Sequence, residues 1–318
     1  MSLVSTLIPV FNRASMLREA VASVLAQTYR PIEIIIIDDG STDDTPGVIA
    51  ELAREHSEIR AIRQANGGPG AAREAGRRIA RGNFLQHLDS DDVLEPRKFE
   101  SQVEGLNAHP ECGVSYGWTR MRFRDGSVPS APWKRSGEVI ETMFPTMLQS
   151  RWWDTPSPLY RFGFAVPWLA LRMEEDWEFD AHVASLDVRL HHVPAWVCEV
   201  REHGSGQLSG RGLEPALLRD RATAHARIYE HARSAGITDA QPEMRHFARE
   251  LFLLARQCGA GGLASESKLL FELARKASGA DSARIQFRAY AALARTIGWN
   301  AAGKLATMSD RLRWRRSR

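Results

Sequence analysis

Short apolar runs alternate with segments of helical periodicity along the first 125 residues. The run LVSTLIPV (3–10) predicts a strand, and apolar residues between 17 and 25 then recur at helical spacing behind Asn12, the predicted N-cap. IEIIIIDD (32–39) is almost continuously apolar, as is typical of a strand that is buried on both faces of a parallel sheet. A helix opened by Pro46 is expected to follow it.

The same unit occurs twice more before residue 110. IRAIRQ (59–64) predicts a third strand, NGGPG leads into a helix through Ile79 that Gly82 can end, and NFLQHL (83–88) predicts a fourth strand. Four such units predict an α/β fold with a mostly parallel sheet flanked by helices. Ligands of such sheets bind beyond the carboxyl ends of the strands, near the point where the strand order reverses.

The segment that follows is less regular. GVSYGWTRMRFR (113–124) predicts one or two strands, whereas RWWDTPSPLYRFGF (151–164) combines aromatic residues and prolines without clear periodicity. Such a segment suits recognition of a ligand by aromatic rings and is equally compatible with a second core. For Trp152, Trp153 and Trp168 we expect core packing, because tryptophan is buried more often than it binds a ligand.

A change of composition near Leu213 divides the chain. Beyond it, alanine, leucine, arginine and glutamate recur at helical period with interruptions at glycine, which predicts three or more helices. We therefore expect an α/β domain over residues 1–210, made of a regular first half (1–110) and a less regular second half (111–210). A C-terminal α-helical region is expected over residues 211–318.

Composition restricts the class of protein. The 318 residues are 43% hydrophobic but contain no apolar run of the length that a spanning helix needs and no signal-peptide pattern, so we expect a cytoplasmic globular protein. The three cysteines are widely spaced and predict neither a disulfide framework nor a zinc site. The formal charge of +3 gives no support to nucleic-acid binding.

Acidic residues follow two of the predicted strands. Asp38 and Asp39 end the second strand, and DSDD, which contains Asp89 and Asp91, follows the fourth. Loops at the carboxyl ends of parallel strands can bring these acids into one crevice. Clustered carboxylates repel one another unless a cation compensates, and a hard ion such as Mg²⁺ or Mn²⁺ prefers oxygen ligands. The acids therefore predict a metal site; the alternative is a helix N-cap with acids near the helix dipole.

Four motifs in order, STLIPVFNR, IEIIIIDDGSTDDT, NGGPGAAREAG and FLQHLDSDD, together resemble the family 2 glycosyltransferases. These are inverting, nucleotide-sugar-dependent enzymes with a GT-A fold, a Rossmann-like sheet flanked by helices. The resemblance covers about residues 3–205 and is strongest to about residue 100. It implies a GT-A domain with a nucleotide-binding half (1–110) and an acceptor half (111–210), followed here by the C-terminal helical region. In the acceptor half, the resemblance implies that the aromatic segment 151–164 could recognise a sugar acceptor.

The resemblance also implies a nucleotide pocket. Phe11 would offer an aromatic face to the base, Asp39 or Asp38 would accept a hydrogen bond from a uracil-like N–H, and the Arg73 guanidinium would serve a carbonyl or phosphate oxygen. The alternatives are that Phe11 belongs to the core and that Arg73 pairs with an acid on its own helix. The nucleotide-binding positions implied are Pro9, Phe11, Asp38, Asp39, Asn66, Arg73, Asp89 and Arg201.

RMEEDWEFDAHVASL (172–186) resembles the family segment in which an acid at the start of a helix acts as general base. Asp176 is the first candidate and Glu175 the second. A sugar hydroxyl is a poor nucleophile until a base takes its proton, while a metal stabilises charge on the departing diphosphate. The alternative is that these acids only complement the helix dipole.

VCEVREHGSGQLS (197–209) resembles the closing segment of the family, with Arg201, His203 and Ser205 at the matching positions. The resemblance implies that Arg201 lies near the diphosphate and that His203 joins Asp91 and Asp89 at the metal. The alternative for His203 is a solvated loop residue.

Other enzyme classes fit the motifs less well. GGPGAAR resembles a dinucleotide-binding turn, but Arg73 stands where the third glycine is needed, which argues against a nicotinamide-dependent oxidoreductase. A sugar-1-phosphate nucleotidyltransferase would be expected to carry a glycine-rich basic loop after its first strand, where this chain has PVFNR. The remaining alternative is a non-catalytic nucleotide-sugar-binding or scaffolding protein with a GT-A domain.

The sequence thus predicts an inverting, metal-dependent glycosyltransferase that uses a nucleoside diphosphate sugar, with UDP as the expected nucleotide. The expected acceptor is a hydroxyl of a saccharide or lipid-linked saccharide, as in synthesis of a surface or capsular polysaccharide. The last residues, SDRLRWRRSR (309–318), concentrate arginine around Trp314. Such a basic tail predicts peripheral contact with the inner face of a membrane, the alternative being a solvated helix end.

Overall fold

The computed structural model describes residues 2–204, 214–279, 281 and 285–316, with side chains as far as residue 308. Its first part alternates strands and helices as the hydrophobic pattern predicts. The elements are β1 (Val4–Val10), α1 (Ala14–Leu25), β2 (Ile32–Asp38), α2 (Thr45–Glu55), β3 (Ile59–Arg63), α3 (Pro69–Ile79) and β4 (Phe84–His87).

The next part is richer in strands, and the last part is helical. After β4 come β5 (Val93–Leu94), α4 (Lys98–Ala108), β6 (Cys112–Arg122), β7 (Leu159–Arg161), α5 (Glu175–Ala184) and β8 (Arg189–Arg201). The C-terminal region contains α6 (Pro215–Ser234), α7 (Pro242–Ala260), α8 (Ala264–Ala277), α9 (Ile285–Ile297) and α10 (Trp299–Arg316).

The strands form one mixed sheet in the order β3-β2-β1-β4-β7-β6-β8-β5. β1, β2, β3 and β4 are parallel to one another, whereas β7 is antiparallel to both of its neighbours. β6 and β8 are parallel, and β5 adds an antiparallel edge. The order reverses between β1 and β4, so the loops that follow these two strands face the crevice in which such sheets bind ligands.

The apolar sequence of β2 is explained by burial on both faces. Ile34 and Ile36 belong to the core beneath α1, α2 and α4, whereas Ile35 and Ile37 pack on the opposite face with Ala72 of α3. Because successive side chains of a strand point to opposite faces, a strand covered on both sides must be apolar at nearly every position.

Two local interpretations of the sequence were wrong. Asn12 does not cap α1, because its backbone is left-handed, with φ of 52°, and the helix begins at Ala14 after Arg13. DSDD is not the N-cap of the next helix either, because β5 intervenes and α4 begins only at Lys98. The expectation of core packing for Trp152, Trp153 and Trp168 is confirmed, since all three are buried.

The chain divides into two compact units. The first comprises Met1–Met143, Arg151–Phe179 and Leu186–Gln207 and contains the sheet. The second comprises Phe144–Ser150, Asp180–Ser185 and Leu208–Arg318. It contains a cluster of aromatic rings in which Phe252 stacks on Phe287 and Phe271 packs against both at tilted angles. In the part of the chain that the structure describes, no helix combines the length and the apolar character needed to cross a membrane.

Candidate active site

The loops after β1 and β2 are joined by hydrogen bonds around Asn12. Its backbone N–H donates to Ser41 Oγ at 3.0 Å, and its side-chain oxygen accepts from the Thr42 N–H at 2.7 Å. Asparagine tolerates the left-handed conformation found here because its short polar side chain can bond locally. The next residue, Arg13, donates its backbone N–H to Thr45 Oγ1 at 3.0 Å. The PVFNR segment is therefore fixed against the start of α2.

Asp39 holds the glycine-rich loop that follows β3. Its two carboxylate oxygens accept from the backbone N–H groups of Gly67 and Gly68, each at 2.8 Å, and Gln64 donates to one of them at 2.8 Å. The Asn66 side chain donates to the Asp39 carbonyl oxygen at 2.9 Å. Asp39 and Asn66 thus lie together, and the Asp39 carboxylate is engaged by the loop itself.

Asp38 differs from its neighbour. Its Oδ1 accepts from the Ser41 N–H at 2.8 Å, while the buried Oδ2 has no hydrogen-bond partner within the described residues. Arg63 lies 3.4 Å from Oδ2 on an exposed side chain. An acceptor of a buried carboxylate that stays unused is costly and is therefore a candidate for ligand recognition.

Phe11 and Pro9 take different positions at the end of β1. Pro9 is buried within the strand, whereas Phe11 is 44% exposed. The alternative that Phe11 belongs to the core is therefore wrong. Its ring is accessible for stacking.

Arg73 connects two parts of the site that are far apart in sequence. One terminal nitrogen pairs with Asp89 Oδ1 at 2.5 Å, and the other donates to Glu175 Oε1 at 2.8 Å. The guanidinium lies 4.8 Å from the centre of the Trp168 ring, and only 3% of the side chain is exposed. Burial lowers the pKa of Arg73, but the charges of Asp89 and Glu175 outweigh it and raise that pKa. The alternative of a partner on its own helix is wrong.

Glu175 and Asp176 begin α5 in contrasting environments. Burial and the neighbouring Asp176 charge raise the pKa of Glu175 to about 7, although Arg73 opposes the change. For Asp176 burial acts in the same direction, but Arg151, Arg73 and other positive groups prevail and lower its pKa. Asp176 pairs with Arg151 through Oδ2, and 30% of its side chain stays exposed.

The DSDD loop is joined to the end of β8. Asp91 Oδ2 accepts from His203 Nε2 at 2.6 Å and pairs with Arg13. Arg201 donates through Nε to the Asp91 carbonyl oxygen at 2.6 Å and through its backbone N–H to Asp92 at 3.1 Å. The matched residues Arg201 and His203 therefore meet Asp91, whereas Ser205 lies outside the described residues.

The chemistry of this loop fits a hard divalent ion. Burial is the first cause that raises the pKa of Asp89 and, more strongly, of Asp92, and the charge of Asp91 adds to it. Such shifts reflect negative charge that a cation would relieve. His203 Nδ1 is buried without a hydrogen-bond partner among the described residues. Among the described residues, the ligand atoms of Asp89, Asp91 and His203 are not all close enough together to hold one ion without a change of side-chain conformation.

Two functional candidates escaped the sequence analysis. Arg13 directly follows the PVFN motif, and Arg151 opens the aromatic segment before β7, but neither has a spacing that links it to Asp91 or Asp176. Such pairs depend on tertiary structure alone. The only available signal was a basic residue next to an already recognised motif.

An α/β sheet with acids gathered beyond its parallel strands is the arrangement expected of a GT-A fold. The family model described as Glycosyl transferase family 2 matches residues 5–166, about half of the chain. The chain belongs to glycosyl transferase family 2.

Curated relatives match only segments. An uncharacterized glycosyltransferase of Rickettsia felis is 44% identical over 147 residues, which are 46% of this chain and 24% of that one. The chondroitin synthase of Escherichia coli is 37% identical over 128 residues, which are 40% of this chain and 19% of the synthase. The matches therefore span a minor part of each relative.

A solved structure matches over more of the chain. Residues 1–349 of S. aureus TarS in complex with UDP-GlcNAc share 16% sequence identity, with a TM-score of 0.62, over 88% of this chain and 89% of that chain. At this identity the likeness establishes the fold alone. Because 88% of this chain is covered, the match includes part of the C-terminal helical region.

Proposed function

We propose that this protein is an inverting, metal-dependent glycosyltransferase that moves a sugar from a UDP-sugar to a hydroxyl acceptor. The observation that carries the proposal is the double ion pair of Arg73, which joins Asp89 of the DSDD loop to Glu175 of the EEDW motif. Asp89 and Glu175 are 86 residues apart in sequence, and Glu175 is the neighbour of the candidate base Asp176. The ion pairs therefore support one site for the acids of the DSDD loop and the base.

The nucleotide pocket would use the residues at the ends of β1 and β2. The exposed Phe11 ring would stack on the base, with Pro9 and Asn66 beside it. Because Asp39 is engaged by the glycine loop, the unused oxygen of Asp38 is the better acceptor for a base N–H. The UDP-GlcNAc bound by TarS supports uridine as the base.

Asp89, Asp91 and His203 would hold a Mn²⁺ or Mg²⁺ ion. When bound, such an ion supplies positive charge to the departing diphosphate. Arg201, which reaches the same loop through Asp91 and Asp92, would hold a diphosphate oxygen. Asp89 remains tied to Arg73 and so fixes the loop relative to α3 and α5.

Asp176 would act as the general base. Its carboxylate is held ionised by Arg151 and remains partly exposed, whereas Glu175 is buried and occupied by Arg73. In the reaction the acceptor oxygen forms a bond to the anomeric carbon as the bond to the diphosphate breaks on the opposite face. The hydroxyl proton passes to Asp176, and the diphosphate leaves with the bonding electron pair.

The acceptor we propose is a saccharide or lipid-linked saccharide of a surface or capsular polysaccharide. The similarity to a chondroitin synthase supports a polysaccharide product. Contact of the basic tail with an anionic membrane would bring the enzyme to a lipid-linked acceptor. That tail lies outside the residues whose side chains the structure describes, and the contact rests on the sequence.

Thermal unfolding with UDP, GDP, dTDP, ADP or CMP, each with and without Mn²⁺, tests the proposal without an acceptor. We expect UDP with Mn²⁺ to stabilise the protein most, by about 2.7 kcal/mol at 100 times its dissociation constant. Asp91→Asn should remove the metal-dependent part of the stabilisation while leaving the unliganded fold. Absence of a shift with every nucleotide would favour a scaffolding role and overturn the enzymatic proposal.

A further inference from the structure

Arg13 forms an ion pair across the point where the strand order reverses. Arg13 follows β1, Asp91 follows β4, and one guanidinium nitrogen contacts Asp91 Oδ2. The side chains are 21% and 13% exposed, respectively. The pair therefore closes the crevice at the place where the proposed donor and its metal would bind.

The position of Arg13 is set by a rigid loop. Its backbone N–H is bound to Thr45 Oγ1, and the preceding Asn12 is fixed on both sides to Ser41 and Thr42. The guanidinium consequently reaches Asp91 from an anchored main chain. A change of the Arg13 side-chain rotamers would move the guanidinium away from Asp91 while the main chain stays in place.

Asp91 already has several positive or polar partners. The oxygen that contacts Arg13 also accepts from His203 Nε2 at 2.6 Å, and Arg201 binds the Asp91 carbonyl oxygen while its side chain pairs with Glu19. Both side-chain contacts are to Oδ2, and the guanidinium charge beside this carboxylate opposes a divalent ion at either of its oxygens. Departure of Arg13 would therefore make Asp91 a stronger metal ligand.

We infer that Arg13 is a stand-in cation, which holds Asp91 in the ligand-free protein and transfers to a diphosphate oxygen when donor and divalent ion bind together. The inference rests on the proposed function and deepens it, because it assigns a residue to the coupling between nucleotide and metal. Arginine suits both partners, since its planar fork pairs with carboxylate and with phosphate.

The arrangement has a thermodynamic consequence. Without nucleotide, the ion would bind preferentially to the molecules in which Arg13 has left Asp91, so its apparent affinity is reduced when that state is rare. A nucleoside diphosphate stabilises the released guanidinium and thereby raises the metal affinity. By linkage, the metal raises the affinity for the diphosphate by the same factor.

Titration of Mn²⁺, followed through the paramagnetic resonance signal of the free ion, tests this coupling directly. In the absence of nucleotide, Arg13→Gln should bind Mn²⁺ on the order of tenfold more tightly than the wild type. With UDP present, the factor by which the nucleotide strengthens Mn²⁺ binding should be smaller in the variant. Arg13→Lys should lie between the two, since a lysine keeps the charge but lacks the fork.

Arg18→Gln is the matched control. Arg18 lies on α1, the helix that begins directly after Arg13, and pairs with Glu51, and both side chains are more than 40% exposed. The substitution removes the same charge without touching Asp91, so Mn²⁺ binding should equal that of the wild type. A comparable gain in Arg18→Gln would assign the effect to net charge and overturn the inference.

Two further outcomes are decisive. If Arg13→Gln and Arg13→Lys bind Mn²⁺ as the wild type does, or more weakly, Arg13 merely braces the loops and the inference fails. In that case wild-type binding of UDP with Mn²⁺ would leave the proposed function intact. If the wild type binds no nucleotide at all, the proposed function itself fails, whatever the Arg13 variants do.

Discussion

Glu175 and Asp176 are adjacent carboxylates whose pKa values move in opposite directions. Burial and the charge of its neighbour raise the pKa of Glu175 to about 7. Burial acts on Asp176 in the same direction, but the positive groups around it, Arg151 first, keep the pKa of Asp176 below its usual value. At neutral pH Asp176 is therefore the more fully ionised of the two carboxylates. Diverging environments of this kind separate the roles of two acids in one site.

Asp176→Asn should abolish transfer while leaving donor binding unchanged. We expect release of nucleoside diphosphate from the sugar donor to fall by about 10²- to 10⁴-fold, the usual contribution of a general base. The stabilisation by UDP with Mn²⁺ should persist, because Asp176 contacts no proposed nucleotide or metal ligand. The rate of diphosphate release and the thermal shift are measured on the same preparation.

Asp187→Asn supplies the control for that change. Asp187 is exposed, and asparagine also tolerates its left-handed backbone. The substitution therefore makes the same chemical change outside the proposed site. Its turnover should match the wild type. Unchanged turnover in Asp176→Asn would remove Asp176 from the mechanism and leave Glu175 as the next candidate.

Elements with a strong local pattern could be predicted from the sequence. The apolar run of β2, the acids after β4 and the acidic start of α5 are each visible in a few neighbouring residues, and the structure has them at the expected positions. β7 was not predicted, because only three residues of an aromatic, proline-rich segment pair between β4 and β6. Its strand conformation depends on neighbours that lie far away in sequence.

The ion pairs of the site could not be predicted from the sequence for the same reason. Arg73 reaches Glu175 across 102 residues, and Arg13 reaches Asp91 across 78 residues. A basic residue within a motif has many acids as potential partners, and only the fold selects among them. The sequence identified which residues are chemically capable, and the tertiary structure determines which of them meet.

The start of α3 depends on a glycine that touches another segment. A Cβ at Gly70 would lie 2.0 Å from the Leu169 carbonyl oxygen, and the Gly70 N–H is directed at the Leu171 carbonyl oxygen at 3.3 Å. The first turn of α3 therefore packs directly on the chain before α5. Arg73 lies three residues beyond Gly70 on the same helix, so the same contact helps to set the position of its side chain.

Gly70→Ala should destabilise the protein by about 1–3 kcal/mol, because backbone atoms must move to admit the methyl group. Gly47→Ala is a close match, since Gly47 also follows a proline at the start of a helix but has no atom within 4 Å of a new Cβ. That change should be neutral or stabilise by roughly 0.5–1 kcal/mol. Urea unfolding of both variants checks the difference, and equal stabilities would refute the close packing.

The charge of the whole chain is unevenly distributed. Residues 309–318 contain five arginines and one aspartate, a formal charge of +4, whereas the complete chain carries +3. The other residues are therefore close to neutral in sum. The tail therefore carries the excess positive charge of the chain and is a segment suited to long-range attraction to an anionic surface.

Deletion of residues 309–318 should abolish binding to vesicles that contain anionic lipid. Each basic residue near such a surface contributes roughly 1 kcal/mol, and screening shortens its reach to about 8 Å at physiological salt. We therefore expect the full chain to float with anionic vesicles at low salt, to be released at high salt, and to ignore neutral vesicles. The truncated chain should keep its response to UDP with Mn²⁺, because the proposed nucleotide site lies entirely within residues 9–203.

Equal flotation of both chains would place any membrane contact elsewhere, and no flotation of either would leave the tail as a solvated helix end and the acceptor as a soluble saccharide.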